Sequence, residues 1–399
     1  MKTIALVDTF WGGHHPTYLK FFSKSLLELG HQVIALCPEP DEMETWIQQN
    51  CAPWVAHFQA FKLEEPKPRF FSLNILQTRE RTLLRWQQAA RSIAQIELAF
   101  GAAPDLIFFT WLDSYLGLVP SIINHCFPHR WSGLYFQPRQ LRIAPRHAWL
   151  RHGIFQPLSV LQSSNCVGIG ILDEGIVETL QRKIHKPVIV FPDFTDDSPP
   201  DQDSPMIQEI FKKAAGRKIV GLLGSLDKRK GILTLLHISQ QIRTPWFFVF
   251  AGNFAKASFT PEEREWIQAV IHSNPDNCFF HLARIPSEAE FNAVVQICDC
   301  LYAAYENFPL SSNLLIKAAL FEKPVIVSDN YCMAERVRAF RLGFRVKERD
   351  LPQTMRTLDD YHQQLLRGVA PFQGDFPGYR LRHSHDQLKA SLRDLLVLV

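Results

Sequence analysis

Along most of the chain, short apolar runs alternate with stretches in which apolar residues recur every three or four positions. The first such unit is the clearest. An apolar run at 3–8 predicts a strand, a loop containing Gly12 and Gly13 follows, and Tyr18, Phe22, Leu26 and Leu29 then fall on one face of a helix. Gly30 suits the position just past that helix, and 32–37 reads as the next strand. This is a βαβ unit, and its repetition predicts α/β architecture with parallel sheets. Further strands are expected at 106–109, 132–136, 166–171 and 188–191. A polar, proline-bearing stretch at 193–205 interrupts the pattern and is expected to be a linker. The same grammar restarts beyond it, with strands expected at 218–223, 246–251, 278–282, 300–303 and 324–327 and a closing helix at 385–398. The expected division is therefore a first domain at 1–195, a linker core at 196–205, a second domain at 206–375 and a helical segment at 376–399 that returns to the first domain. Two doubly wound halves would place a ligand cleft between the C-terminal edges of their sheets.

Composition narrows this picture. At roughly 150 residues per domain, 399 residues imply two or three domains. Apolar residues make up 46% and charged residues 21%, which excludes a disordered chain. The 43 Lys and Arg against 40 Asp and Glu give a net charge of +3, so nucleic acid is not expected as a partner. The run at 3–8 is far shorter than a signal-peptide core or a span of roughly 20 residues, and no other window reaches that length without charge. A soluble, cytoplasmic protein is expected, with peripheral membrane contact left open. The eight cysteines stand mostly in apolar runs, as buried thiols do in a reducing compartment. Cys298 and Cys300 form a C-x-C inside a strand-like run, where alternation sends the sulfurs to opposite faces, so no metal site is expected.

Three segments offer chemistry. Gly221 to Gly231 is a strand, a glycine turn and then Lys228, Arg229 and Lys230 ahead of a helix. Free backbone N–H groups and three cations at such a turn suit a diphosphate, while a solvated basic turn is the plain alternative. It is not a P-loop, because the Gly-Lys-Ser/Thr ending is missing. The second segment, 299–329, has a strand, a loop with Glu306, Ser311, Ser312 and Asn313, then a helix. Ser-Ser-Asn at a helix start is either an N-cap or a phosphate contact, and Glu306 can accept hydrogen bonds from sugar hydroxyls. The third is Thr9 to Pro16, in which Gly12 and Gly13 let a ligand approach the backbone and His14 or His15 can serve as acid, base or hydroxyl partner.

Together, in this order, the segments resemble the GT-B glycosyltransferases, in particular glycosyltransferase family 4. The matching residues are Gly12-Gly13, Gly30-His31-Gln32-Val33, Gly224-Ser225-Leu226 through Lys230-Gly231, Cys298-Asp299, Glu322 through Ile326, and Glu335-Arg336-Val337 with Gly343. The resemblance implies two Rossmann-like domains facing each other across a cleft, a nucleotide-diphosphate sugar held mainly by the second, and a glycan, lipid-linked or small-molecule acceptor at the first. It implies sugar transfer with retention, without a metal or any cofactor beyond the sugar donor. Lys230 matches the diphosphate lysine, Ser311, Ser312 and Asn313 fall where the phosphate loop lies, and Gly12 and Gly13 match the loop that closes over the donor. Glu306, orienting the sugar, and His14, at the reacting centre, are the catalytic candidates. There are departures: Ser225 stands where the family has arginine, leaving Lys228 or Arg229 to supply that charge. Of the family's two glutamates, Glu306 answers to the first only with a short insertion, and Lys317 or Ile316 stands at the second.

Cations and aromatics at 67–71, 79–91 and 139–151 suit an anionic acceptor or lipid surface, with a solvated face as the commoner explanation. A non-catalytic GT-B binding protein and a GT-B nucleotide-sugar epimerase are the alternative functions; a dehydrogenase is disfavoured because no strand leads into G-x-G-x-x-G with a downstream acid.

Overall fold

The computed structural model describes residues 1–67, 74–143, 158–367 and 372–399. The chain divides into two units, Met1–Pro192 with Ser384–Val399, and Asp193–His383.

The first unit is built on a seven-stranded, all-parallel sheet in the order β3-β2-β1-β4-β5-β6-β7. Its strands are β1 (Thr3–Val7), β2 (Gln32–Cys37), β3 (Phe58–Lys62), β4 (Leu106–Phe109), β5 (Trp131–Tyr135), β6 (Ile169–Ile171) and β7 (Val188–Val190). β1 reads Thr-Ile-Ala-Leu-Val and is buried from its second residue on, which is what a central parallel strand covered on both faces requires. Trp86, on the long helix Asn74–Phe100, sits edge-on among Phe109, Tyr115, Phe127 and Trp131 with its indole N–H donated to the Tyr115 carbonyl at 3.0 Å. Each such fully buried aromatic is worth on the order of 1.5–3 kcal/mol of transfer free energy. The C-terminal helix His385–Leu396 belongs to this unit, where Ser391 donates to the Val190 carbonyl and Lys389 pairs with Glu28.

The second unit has a six-stranded parallel sheet, β10-β9-β8-β11-β12-β13. Its strands are β8 (Lys218–Leu223), β9 (Trp246–Ala251), β10 (Cys278–His281), β11 (Cys300–Ala303), β12 (Val325–Ser328) and β13 (Gly343–Val346). Alternation along β9 sends Phe247, Val249 and Ala251 to one core cluster and Trp246, Phe248 and Phe250 to another, so both faces are packed. Cys298 ends the helix before β11 rather than lying in that strand, with its thiol donated to the Val294 carbonyl; it joins one cluster and Cys300 the other. Burial pushes the Cys298 thiol up to about 12.

Two features differ from the linear pattern. The stretch expected as a linker is part of the second unit and is hydrogen-bonded along its length. Ser311 donates its hydroxyl to Asp193, Asn313 donates to the Phe194 carbonyl at 2.8 Å, Lys317 to the Asp196 carbonyl at 3.2 Å and Asn292 to the Ser198 carbonyl at 2.8 Å. The helix Phe376–Arg382 also stays with the second unit, so the returning segment starts at Ser384 and not at 376.

Candidate active site

In each unit the candidate residues follow the first strand. After β8 the chain turns at Gly224, whose φ of +93° favours glycine over any residue with a side chain. Asp227 then caps a short 3-10 turn, Lys228–Lys230, by accepting from the Lys230 N–H at 3.0 Å, and Gly231 at φ +76° passes the chain into the helix Ile232–Gln241. The three cations of this turn have different environments. Lys228 pairs with Glu263 at 2.5 Å. Arg229 pairs with Asp227 at 3.1 Å and lies over the Phe308 ring, 4.4 Å from its centroid. Lys230 is half-buried beside the Tyr305 ring and donates to the Leu223 carbonyl at 3.2 Å, with no ion pair among the described residues. Ser225 is exposed, its hydroxyl 3.5 Å from Asp227.

β11 delivers Glu306 to the same turn, the Glu306 N–H being donated to the Arg229 carbonyl at 2.7 Å. Its carboxylate is almost fully buried and already has a partner. Arg349 donates Nε–H to Oε2 at 2.6 Å, and its Nη2 makes a second, shorter contact with the same oxygen. The Ser311, Ser312 and Asn313 side chains are engaged within the unit. Ser311 bridges Asp193 and the buried Arg336, which donates to it at 2.5 Å, and Ser312 accepts from the Leu314 N–H at 3.4 Å. Asn313 also accepts from Thr195 at 2.9 Å. Lys317, at the position of the family's second glutamate, is buried on Asn292, Glu288 and the Asp196 carbonyl. Sequence reasoning took Ser311, Ser312 and Asn313 as phosphate contacts; in the fold, Ser311, Asn313 and Lys317 tie 193–196 to the rest of the second unit, while Ser312 bonds locally to the Leu314 N–H.

In the first unit, β1 ends at Asp8, which is 3% exposed and accepts from the Thr110 hydroxyl at 2.8 Å and the Phe10 N–H at 3.0 Å. His15, the first residue of the helix His15–Glu28, sets Nδ1 at 2.9 Å from both Asp8 carboxylate oxygens. A carboxylate cannot donate, so Nδ1 carries a proton, and in the neutral ring Nε2 presents a lone pair. The ring stacks on Trp111 at 4.0 Å, and Trp111 stacks on Phe136 at 3.9 Å. The histidine aligned by a buried acid is therefore His15; His14 is the exposed N-cap residue of the helix, without a side-chain cap bond. The signal was in the chain, since Asp8 lies one helix-entry loop before His15. Gly12 packs under the Phe10 ring, and Gly13 takes φ +60° to start the helix.

Of the cations expected on an anionic surface, Arg85 is half-buried on Glu65 and on the Ser114 carbonyl, and Arg142 forms a two-contact pair with buried Asp173. Both are structural ion pairs. Arg69, Phe70, Phe71, Arg146, Trp149 and Arg151 lie outside the described residues. Among the described residues no helix is long and apolar enough to cross a membrane.

Two parallel Rossmann-like sheets of this kind are the GT-B fold. Sucrose-phosphate synthase of Thermosynechococcus elongatus superposes with a TM-score of 0.67 over 99% of this chain and 98% of its own, at 17% identity. HepE of Anabaena, solved in complex with UDP-glucose, superposes at 0.66 over the whole of both chains, at 12% identity. A glycosyltransferase of Rickettsia africae gives 0.64, at 12% identity, over 99% of this chain and 98% of its own. More particularly, residues 203–361, which include the Gly224–Gly231 turn, Glu306 and Arg349, match the family of group 1 glycosyl transferases. No curated protein matches the chain in sequence.

Proposed function

We propose that this protein is a glycosyltransferase that moves a sugar from a nucleotide-diphosphate donor to a hydroxyl of a glycan, lipid-linked or small-molecule acceptor, with retention and without a metal. The observation that carries the reading is Lys230. It is the one cation of the 228–230 turn that no carboxylate neutralises among the described residues, and it is half-buried where a diphosphate would meet the turn. Leaving-group charge that develops on the diphosphate is stabilised there by a fixed ammonium in partly desolvated surroundings. The side chains of Ser311 and Asn313 are committed to the 193–195 segment, so their loop serves a phosphate through backbone N–H groups rather than hydroxyls. Among the described residues Glu306 Oε1 has no hydrogen-bond partner and is left for a sugar hydroxyl, and the His15 Nε2 lone pair accepts the acceptor hydroxyl.

The sugar and base remain to be chosen by pocket contacts, each worth one or two hydrogen bonds. A thermal-shift panel of UDP, GDP, ADP, TDP and CMP tests the donor site and names the base. One nucleoside diphosphate is expected to stabilise the protein; stabilisation by none rejects the reading. A second reading, a GT-B binding protein without turnover, draws on Lys317, which places a buried lysine where a ribose-binding glutamate is expected. It predicts stabilisation by the diphosphate with no release of labelled sugar when acceptors are supplied.

A further inference from the structure

We propose that Arg349 is a positioning residue of the donor site: it neutralises Glu306 and holds one carboxylate oxygen, so that a diphosphate can bind beside a buried acid. The inference rests on the donor-site reading above and assigns a function to a residue outside the cation turn.

Three observations meet at this residue. The Glu306 side chain is 8% exposed and its backbone is bonded to Arg229, so a carboxylate is buried next to the turn that would take a diphosphate. An uncompensated buried carboxylate there repels a ligand carrying two phosphates. Arg349 reaches Glu306 from the loop after β13 with both contacts on Oε2, while its own side chain is 66% exposed. Finally, Arg349 has φ +60°, the left-handed region in which a side chain costs conformational energy and glycine does not. The neighbouring Glu348 accepts from the Asn307 N–H at 3.0 Å, so the two loops are joined twice and the guanidinium is delivered to a fixed place.

Neutralisation through Glu306 differs from direct phosphate binding by Arg349. If Arg349 acts through Glu306, removing both charges together restores diphosphate affinity; if it grips phosphate itself, removing Glu306 restores nothing. The test measures the dissociation constant of whichever of UDP, GDP, ADP and TDP stabilises the wild type, for Arg349→Gly, Arg349→Lys, Glu306→Gln and the double variant Arg349→Gly/Glu306→Gln. Arg349→Gly is expected to weaken binding about tenfold, Arg349→Lys by less than about threefold, and the double variant to return to within about threefold of wild type. The double variant should also melt at or above the wild-type temperature, because it relaxes the left-handed residue without stranding a charge. Unchanged affinity in Arg349→Gly overturns the proposal, and so does equal weakening in the single and double variants. Should Arg349→Gly fail to fold, Arg349→Gln takes its place, with the same expected weakening and the same overturning results. If the wild type binds none of the four diphosphates, the donor-site reading fails first and this inference falls with it; if the wild type binds and the variants do not differ, only the inference fails.

Discussion

The loops that follow β1 and β8 occupy the same place in two copies of one topology, and their chemistry is opposite. Each leaves the first central strand of its sheet, uses glycine to turn, and enters a helix. After β1 stand a buried carboxylate, a histidine that it orients, and stacked aromatic rings. After β8 stand three consecutive cations, one of them without a carboxylate partner among the described residues. The βαβ geometry supplies converging backbone at a strand's C-terminal end and says nothing about charge; the side chains decide whether that position handles a proton or an anion. Fold therefore sets where chemistry occurs in both units, and a few residues set which chemistry.

The contrast is broken hardest at Lys230. Lys230→Ala should lower kcat by roughly 10²-fold or more if the ammonium stabilises leaving-group charge, with the fold intact because only a carbonyl contact and a contact with the Tyr305 ring are lost. Steady-state transfer of labelled sugar measures it, and an unchanged kcat removes Lys230 from the mechanism. A smaller loss, about tenfold in kcat, is expected for Asp8→Asn. The amide would present N–H to Nδ1, reverse the His15 tautomer and turn the Nε2 lone pair into a donor. Imidazole ¹⁵N shifts report the tautomer directly, so a wild-type tautomer in the variant would refute this account whatever the activity.

Strands were legible where the chain runs apolar, at the centre of each sheet and at the edges β7 and β10, and not where an edge strand is polar. β1, β2, β4, β8, β9 and β11 are buried on both faces and read as continuous apolar runs within a residue of their observed ends. β3 and β13, which border their sheets as β7 and β10 do, escaped because they lack a continuous apolar run: Phe58–Lys62 is mostly exposed after its first residue, and Gly343–Val346 carries a glycine and an exposed arginine. At the site, the 228–230 cations were visible as a motif, but their differing roles depend on Glu263 and Asp227 and on rings brought in from β11's loop. The side-chain partners of Ser311, Asn313 and Lys317 were hidden for a related reason. A polar residue near a helix start serves equally as cap, ligand contact or internal tether, and only the three-dimensional neighbour, here the 193–198 segment, chooses. Arg349 had no linear signal, since its value lies in one buried acid 43 residues away.

The finest test of the comparison is Lys228, which shares a turn with Lys230 and should behave unlike it. Its ammonium is already spent on Glu263, so Lys228→Ala should change diphosphate affinity by less than about fivefold, through long-range screening alone. The larger signature is in pH dependence. Glu263 is held below the ordinary glutamate range, first by Lys228 and then by the Thr260 N–H, which it accepts at 3.0 Å as part of a capping box. A carboxyl whose folded value is depressed adds stability above its unfolded value and loses it as the pH falls through the folded one. Lys228→Ala should therefore lower the melting temperature slightly at neutral pH, and the gap should close as the pH falls through the depressed Glu263 value, below which both proteins carry the acid protonated. The capping box remains in the variant, which keeps the loss within the range of an exposed pair, roughly 0.2–1 kcal/mol. Melting curves from pH 3 to 8 measure this; a gap that persists or widens in acid would mean that Lys228, too, holds something other than Glu263, and the division of labour within the turn would have to be redrawn.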